Sequence, residues 1–201
     1  MRRSAFILAV VAVGAVMLVT PNETMACACC SDPGDYGTHT TKIEEFHRAE
    51  VQGITFAAAA KLYLTDADDD KKKGLGAALS DNFVLAATVD EQGWRLTFRT
   101  DDGKAGVLTL LMPPKLTTFA ADIHDDATSA GGGPLLYKEW RFEGTAGGDG
   151  IFANAPARYT LIFQGRGNRC DGAIDFSHWR LSVKGKQADF AFFGELTSHG
   201  R

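Results

Sequence analysis

WRLTFR, residues 94–99, sets Trp94, Leu96 and Phe98 on one parity and Arg95, Thr97 and Arg99 on the other. Successive side chains of a strand point to opposite faces, so this stretch hides one face and wets the other. The same rhythm recurs upstream in Ile54, Phe56, Ala58, Ala60, Leu62 and Leu64, then in Phe83, Leu85, Ala87 and Val89. Downstream it runs through Leu108, Leu110 and Met112, then Leu136, Trp140 and Phe142, then Tyr159, Leu161 and Phe163. It ends with Trp179, Leu181 and Val183, followed by Phe190 and Phe192.

Turn signals separate these runs. Glu91-Gln92-Gly93, Asp101-Asp102-Gly103 and Gly185 between two lysines all mark tight hairpins. The reading is an all-β domain, a single antiparallel meander of about eight strands closed as a barrel or stacked as a sandwich. A short N-terminal helix near residues 42–50 precedes it, on the strength of a Thr41–Glu44 capping box and the Ile43/Phe46 face. Longer loops are expected at 66–81, 113–134 and 164–172. Loops of that length in a small domain carry function or move freely.

The N-terminus directs the chain out of the cytoplasm. Arg2 and Arg3 precede an uncharged apolar run, Ala5 to Val19, and then small residues around Thr24-Met25-Ala26. That order is a secretory signal peptide, too short for a membrane span. Residues 1–26 are read as the signal, 27–41 as a cysteine-containing strap and 42–201 as the β domain. The expected location is periplasmic or extracellular, with no transmembrane span after cleavage. Cleavage after Ala26 would expose Cys27, but Thr24 and Met25 fit a lipoprotein signal poorly, so a lipid anchor on Cys27 ranks below ordinary cleavage. Taking Arg2, Arg3 and Glu23 from 21 basic and 25 acidic residues leaves a net charge of −5. This balance argues against nucleic acid as a partner. The outward parity carries Arg95, Arg99, Glu139, Arg141, Glu143, Arg158, Arg180 and Lys184, which favours an apolar interior over an outer-membrane barrel.

Three cysteines, Cys27, Cys29 and Cys30, crowd into four positions, and only Cys170 stands apart. In an oxidising compartment the first expectation is disulfide bonding among these four, tying the strap to the 164–172 loop. The thiol cluster could instead hold Cu or Zn, or act in thiol redox chemistry. A further metal or hydrolytic candidate is the loop with Asp122 and His124, where an imidazole stands among carboxylates. The Asp66–Asp70 run lacks the glycine and glutamate of a calcium loop. Glu139 and Glu143 flank Arg141 and are expected in cross-strand ion pairs. Ser177 and His178, as strand neighbours, are expected on opposite faces. Arg158, His178 and Arg180 share an outer face and form a candidate patch for an anionic small-molecule ligand. No complete catalytic constellation stands out, so a non-catalytic binding or envelope-structural role leads. Soft-metal handling and a metal-assisted hydrolase around His124 follow.

Overall fold

The computed structural model describes residues 34, 36–63, 73–76, 81–128, 133–154, 156–169 and 172–197. Their elements run β1 (Tyr36–Lys42), α1 (Glu45–Gln52), β2 (Thr55–Tyr63), β3 (Asn82–Asp90), β4 (Gly93–Arg99) and β5 (Ala105–Leu111). Then come β6 (Lys115–Ala121), β7 (Leu136–Gly150), β8 (Ala157–Gly167), β9 (Phe176–Lys184) and β10 (Asp189–Thr197). Every strand pairing is antiparallel. Eight strands close into a barrel in the order β7-β5-β4-β3-β2-β10-β9-β8, with β8 returning to β7. The fold is therefore a barrel and not a sandwich.

Among the described residues most of the period-two positions point inward and fill the lumen; Ala58 is exposed, beside the β2–β10 register irregularity. Trp94, Leu96, Phe98, Phe142, Tyr159, Leu161, Phe163, Trp179 and Phe192 are all buried. Their rings pack against one another, with Phe98 and Phe192 at 4.4 Å, Trp94 and Phe142 at 5.1 Å, and Phe83 and Phe192 at 5.2 Å between centroids. Each such side chain contributes a few kcal/mol by leaving water, with a further increment from ring geometry. Tyr159 satisfies its hydroxyl by donating to the Leu111 carbonyl at 2.7 Å, and burial raises its pKa. The lumen is thus a packed interior. The outward parity carries the exposed charges Arg95, Arg99, Arg141, Glu143, Arg158, Arg180 and Lys184 alongside exposed Val84, Leu111 and Phe193.

Two glycines are dictated by close approach. Gly93, at φ +141°, closes the β3–β4 hairpin, and a Cβ there would stand 1.9 Å from the Leu110 carbonyl oxygen. A Cβ on Gly165 would stand 1.9 Å from the Asp175 carbonyl oxygen, at a β8–β9 irregularity.

The β4–β5 hairpin is pinned by side chains. Thr100 Oγ1 donates to Asp102, whose other oxygen pairs with Lys104 at 2.8 Å. Lys104 first and Thr100 second hold the Asp102 carboxyl down from 3.8 to about 2. A depressed carboxylate pKa stabilises the fold above the ordinary value, and that contribution fades as pH falls through about 2. Asp102→Asn is therefore expected to flatten the acid limb of thermal stability over that window. Melts of both proteins between these pH values check it, and parallel acid limbs would contradict it.

Three sequence expectations shift. The helix does not precede the sheet: it follows β1, because Tyr36–Lys42 forms a strand paired with β6. Its N-cap is Glu44, whose N–H donates to His47 Nδ1 at 3.3 Å, in place of the expected Thr41–Glu44 box. The 113–134 loop contains β6. α1 covers one barrel end, with Val51 fully buried, His47 edge-on to Trp140 at 5.7 Å, and Glu50 accepting from the Ala173 N–H at 2.6 Å. Residues 73–76 of the 66–81 loop reach the other end, where Leu75 bridges Phe152.

Candidate functional site

The fork in β7 builds the most distinctive surface. Its Ala146–Gly150 half pairs with β5, whereas Tyr137–Arg141 pairs with β6 on the same edge. Leu136–Ala146 pairs with β8 along the other edge. The chain leaves β5 through Met112-Pro113-Pro114, and two residues without N–H groups cannot continue the ladder. It restarts as β6, which together with β1 forms a wing projecting from the barrel. Between wing and barrel lies a groove of about 480 Å³, with Lys115, Thr117, Arg141, Glu143 and Arg158 in its lining. A neighbouring recess of about 290 Å³ shares Thr117 and Arg141 and adds Thr38, Phe119 and Glu139.

Register sets like charges against each other here. Lys42 faces Lys115 across β1–β6, and Arg158 faces Lys184 across β8–β9. Side chains directly opposite have Cβ atoms about 5 Å apart, where like charges destabilise the pair. Among the described residues, these four cations make no ion pair. Glu139 is already engaged: Tyr137 donates to it at 2.5 Å and Arg141 stands 3.7 Å away. Burial, reinforced by that carboxylate, raises the Tyr137 pKa and keeps its hydroxyl a donor. Within the groove lining Glu143 is the carboxylate set beside Lys115, Arg141 and Arg158; of the outer members of the two pairs, Lys42 and Lys184, Lys184 also faces Asp189 across β9–β10.

Arg158, His178 and Arg180 do share the outer face, but they do not meet. Arg158 lines the groove, while His178 and Arg180 line a separate recess of about 230 Å³ with Gln164, Phe193 and Gly194. The Ser177–His178 expectation is overturned. Gln164 pairs with His178 and Gly165 with Phe176, so Ser177 is an extra residue in a β-bulge. The bulge breaks the alternation and brings Ser177 Oγ within 2.8 Å of His178 Nδ1. Both residues are exposed.

In the Asp122–Asp126 loop, the carboxylates serve the loop itself. Asp122 accepts from the His124 backbone N–H at 2.8 Å. Asp125 pairs with Arg166 at 2.5 Å, which lowers its pKa. His124 and Asp126 hold positive φ. Among the described residues no group of three or more His, Cys, Asp or Glu is arranged to hold a metal. Cys27, Cys29, Cys30 and Cys170, with the Asp66–Asp70 run, lie outside the described residues.

Sequence reading missed Lys42, Lys115 and Lys184 as a set, because their opposition exists only in the register. It also missed Lys138, which interrupts the apolar parity of Leu136, Trp140 and Phe142. That interruption was the available signal. No protein-family model, curated protein or solved structure matches this chain.

Proposed function

We propose that the chain is an exported, non-catalytic binding protein that holds an anionic ligand on its outer wall, in the groove at the fork of β7. The observation carrying this reading is the pair of like-charged cross-strand oppositions, Lys42–Lys115 and Arg158–Lys184, whose inner members Lys115 and Arg158 line a concave surface together with Arg141 on a net-acidic chain. A sheet gains nothing from opposing cations, whereas a multivalent anion turns both repulsions into attraction. The cations span four strand spacings, about 19 Å, so an extended anion suits them better than a single compact one. The packed aromatic lumen argues for an external site and against an interior carrier cavity. The signal-like N-terminus supports export.

Titration of the processed protein with inorganic tripolyphosphate, followed by backbone amide NMR, tests the site. Saturable shifts are expected around Lys42, Lys115, Arg158 and Lys184, weakening as salt rises. No saturable binding at low salt, or shifts centred on another face, would overturn the proposal.

A further inference from the structure

We infer that the anion is borne on sugar rings, so that the ligand class is an acidic oligosaccharide such as a chain of uronic acids. This deepens the groove reading and rests on it. Beside the cations, the same outer face carries a row of aromatic rings on three adjacent strands. Tyr36 on β1 lies 6.4 Å from Phe119 on β6, and Phe119 lies 6.2 Å from Tyr137 on β7. Tyr36 is 77 % exposed, although it sits in a regular ladder opposite Ala121 and has room for any small polar residue. An exposed ring on the outermost strand of the wing contributes little to the core and much to a surface that binds. The amphipathic rings of Tyr36 and Tyr137 suit a ligand with apolar C–H faces and a polar rim.

The surroundings of the rings match a saccharide as well. Thr38 and Phe119 line the smaller recess together with Glu139, whose orientation Tyr137 fixes. Thr40 and Thr117 meet at 3.0 Å between hydroxyl oxygens at the boundary of the two recesses. Hydroxyls and a fixed carboxylate can exchange hydrogen bonds with sugar hydroxyls. The carboxylates Glu139 and Glu143 would repel a continuous phosphate backbone, but spaced uronate groups can avoid them. From Tyr36 to Lys42 the strand advances about 20 Å, so the aromatic end and the cationic end would be occupied by different units of one chain.

The test compares three probes on the processed protein by calorimetry: a short oligogalacturonate, its methyl-esterified counterpart and inorganic tripolyphosphate. The oligogalacturonate is expected to bind about tenfold tighter than the ester. Tyr36→Ala, which removes an exposed ring, is expected to weaken oligogalacturonate about tenfold and leave tripolyphosphate unchanged. Lys115→Gln is expected to weaken both acidic probes. If Tyr36→Ala leaves oligogalacturonate binding intact, if the ester binds as well as the acid, or if only tripolyphosphate binds, the sugar assignment is overturned while the anionic groove stands. If neither acidic probe binds, the groove reading itself fails.

Discussion

Lys138→Ala is expected to reduce unfolding free energy by about 3–5 kcal/mol, a large fraction of what a domain of this size possesses. Lys138 points into the barrel between Leu136 and Trp140, and the residue is 4 % exposed. An ammonium has three donors and no acceptor, and three oxygens receive it. These are the Arg169 carbonyl, Asp175 Oδ2 at 3.0 Å and the Gly172 carbonyl at 3.4 Å. The Phe176 ring lies 5.9 Å from the Nζ. Asp175 also accepts from the Arg169 N–H at 3.1 Å, so one cation and one carboxylate gather both arms of the β8–β9 connection onto the barrel rim. Removing the lysine strands a largely buried carboxylate and two carbonyls, and the cost lies in what is left behind more than in the pair itself. The same logic separates two further variants. Lys138→Met keeps the bulk and loses the charge, so it remains strongly destabilising. The double variant Lys138→Met/Asp175→Asn removes the stranded charge and is expected to recover part of the loss. Urea unfolding followed by tryptophan fluorescence measures all three. A Lys138→Ala protein within about 1 kcal/mol of wild type would show that the pair is not a staple.

The barrel wall was legible in the sequence because its signal is local. Trp94, Leu96 and Phe98 need only their own alternation to declare which face is hidden, and the lumen of the structure is built from those positions. What escaped was whatever depends on a partner strand. By sequence alone β1 falls within the strap and β6 within a loop, because YGTHTTK and KLTTFAA carry no clean apolar parity; they form a wing and not the core. Closure escaped too, since alternation is the same in a barrel and a sandwich. The Ser177–His178 contact required knowing where an extra residue enters the ladder, and a bulge reverses the alternation that otherwise licenses the inference. The groove is the extreme case. The opposed cations at and beside it lie on β1, β6, β8 and β9, so their juxtaposition is a property of register alone. A single inward cation such as Lys138 is different, because it breaks a visible pattern and so announces a buried partner.

Lys115→Gln/Arg158→Gln is expected to bind anions about a hundredfold more weakly while the protein itself becomes more stable, by about 1 kcal/mol. Each substitution removes one member of a like-charged cross-strand pair, relieving Lys42 in one case and, more weakly because Asp189 faces it from β10, Lys184 in the other. A direct cross-strand charge contact carries a few tenths of a kcal/mol to about 1 kcal/mol. The two positions belong to separate pairs two strands apart, so their gains should nearly add. Affinity moves the other way, because each cation lost removes a charge-assisted contact to the ligand. Arg141→Gln provides the control. Arg141 faces Thr117 and Ile162, not another cation, and it pairs with Glu139. Its loss should weaken binding with no gain in stability. Salt separates the electrostatic origin from any packing effect. At about 1 M ionic strength the Debye length falls to about 3 Å, so the stability advantage of the double variant should disappear. Thermal melts at low and high salt, paired with tripolyphosphate titrations, read both quantities on the same samples. Opposite signs for stability and affinity would mark Lys115 and Arg158 as residues kept for a ligand at the expense of the fold. A double variant that is less stable than wild type, or one that is more stable yet binds undiminished, would leave the opposed cations without that explanation.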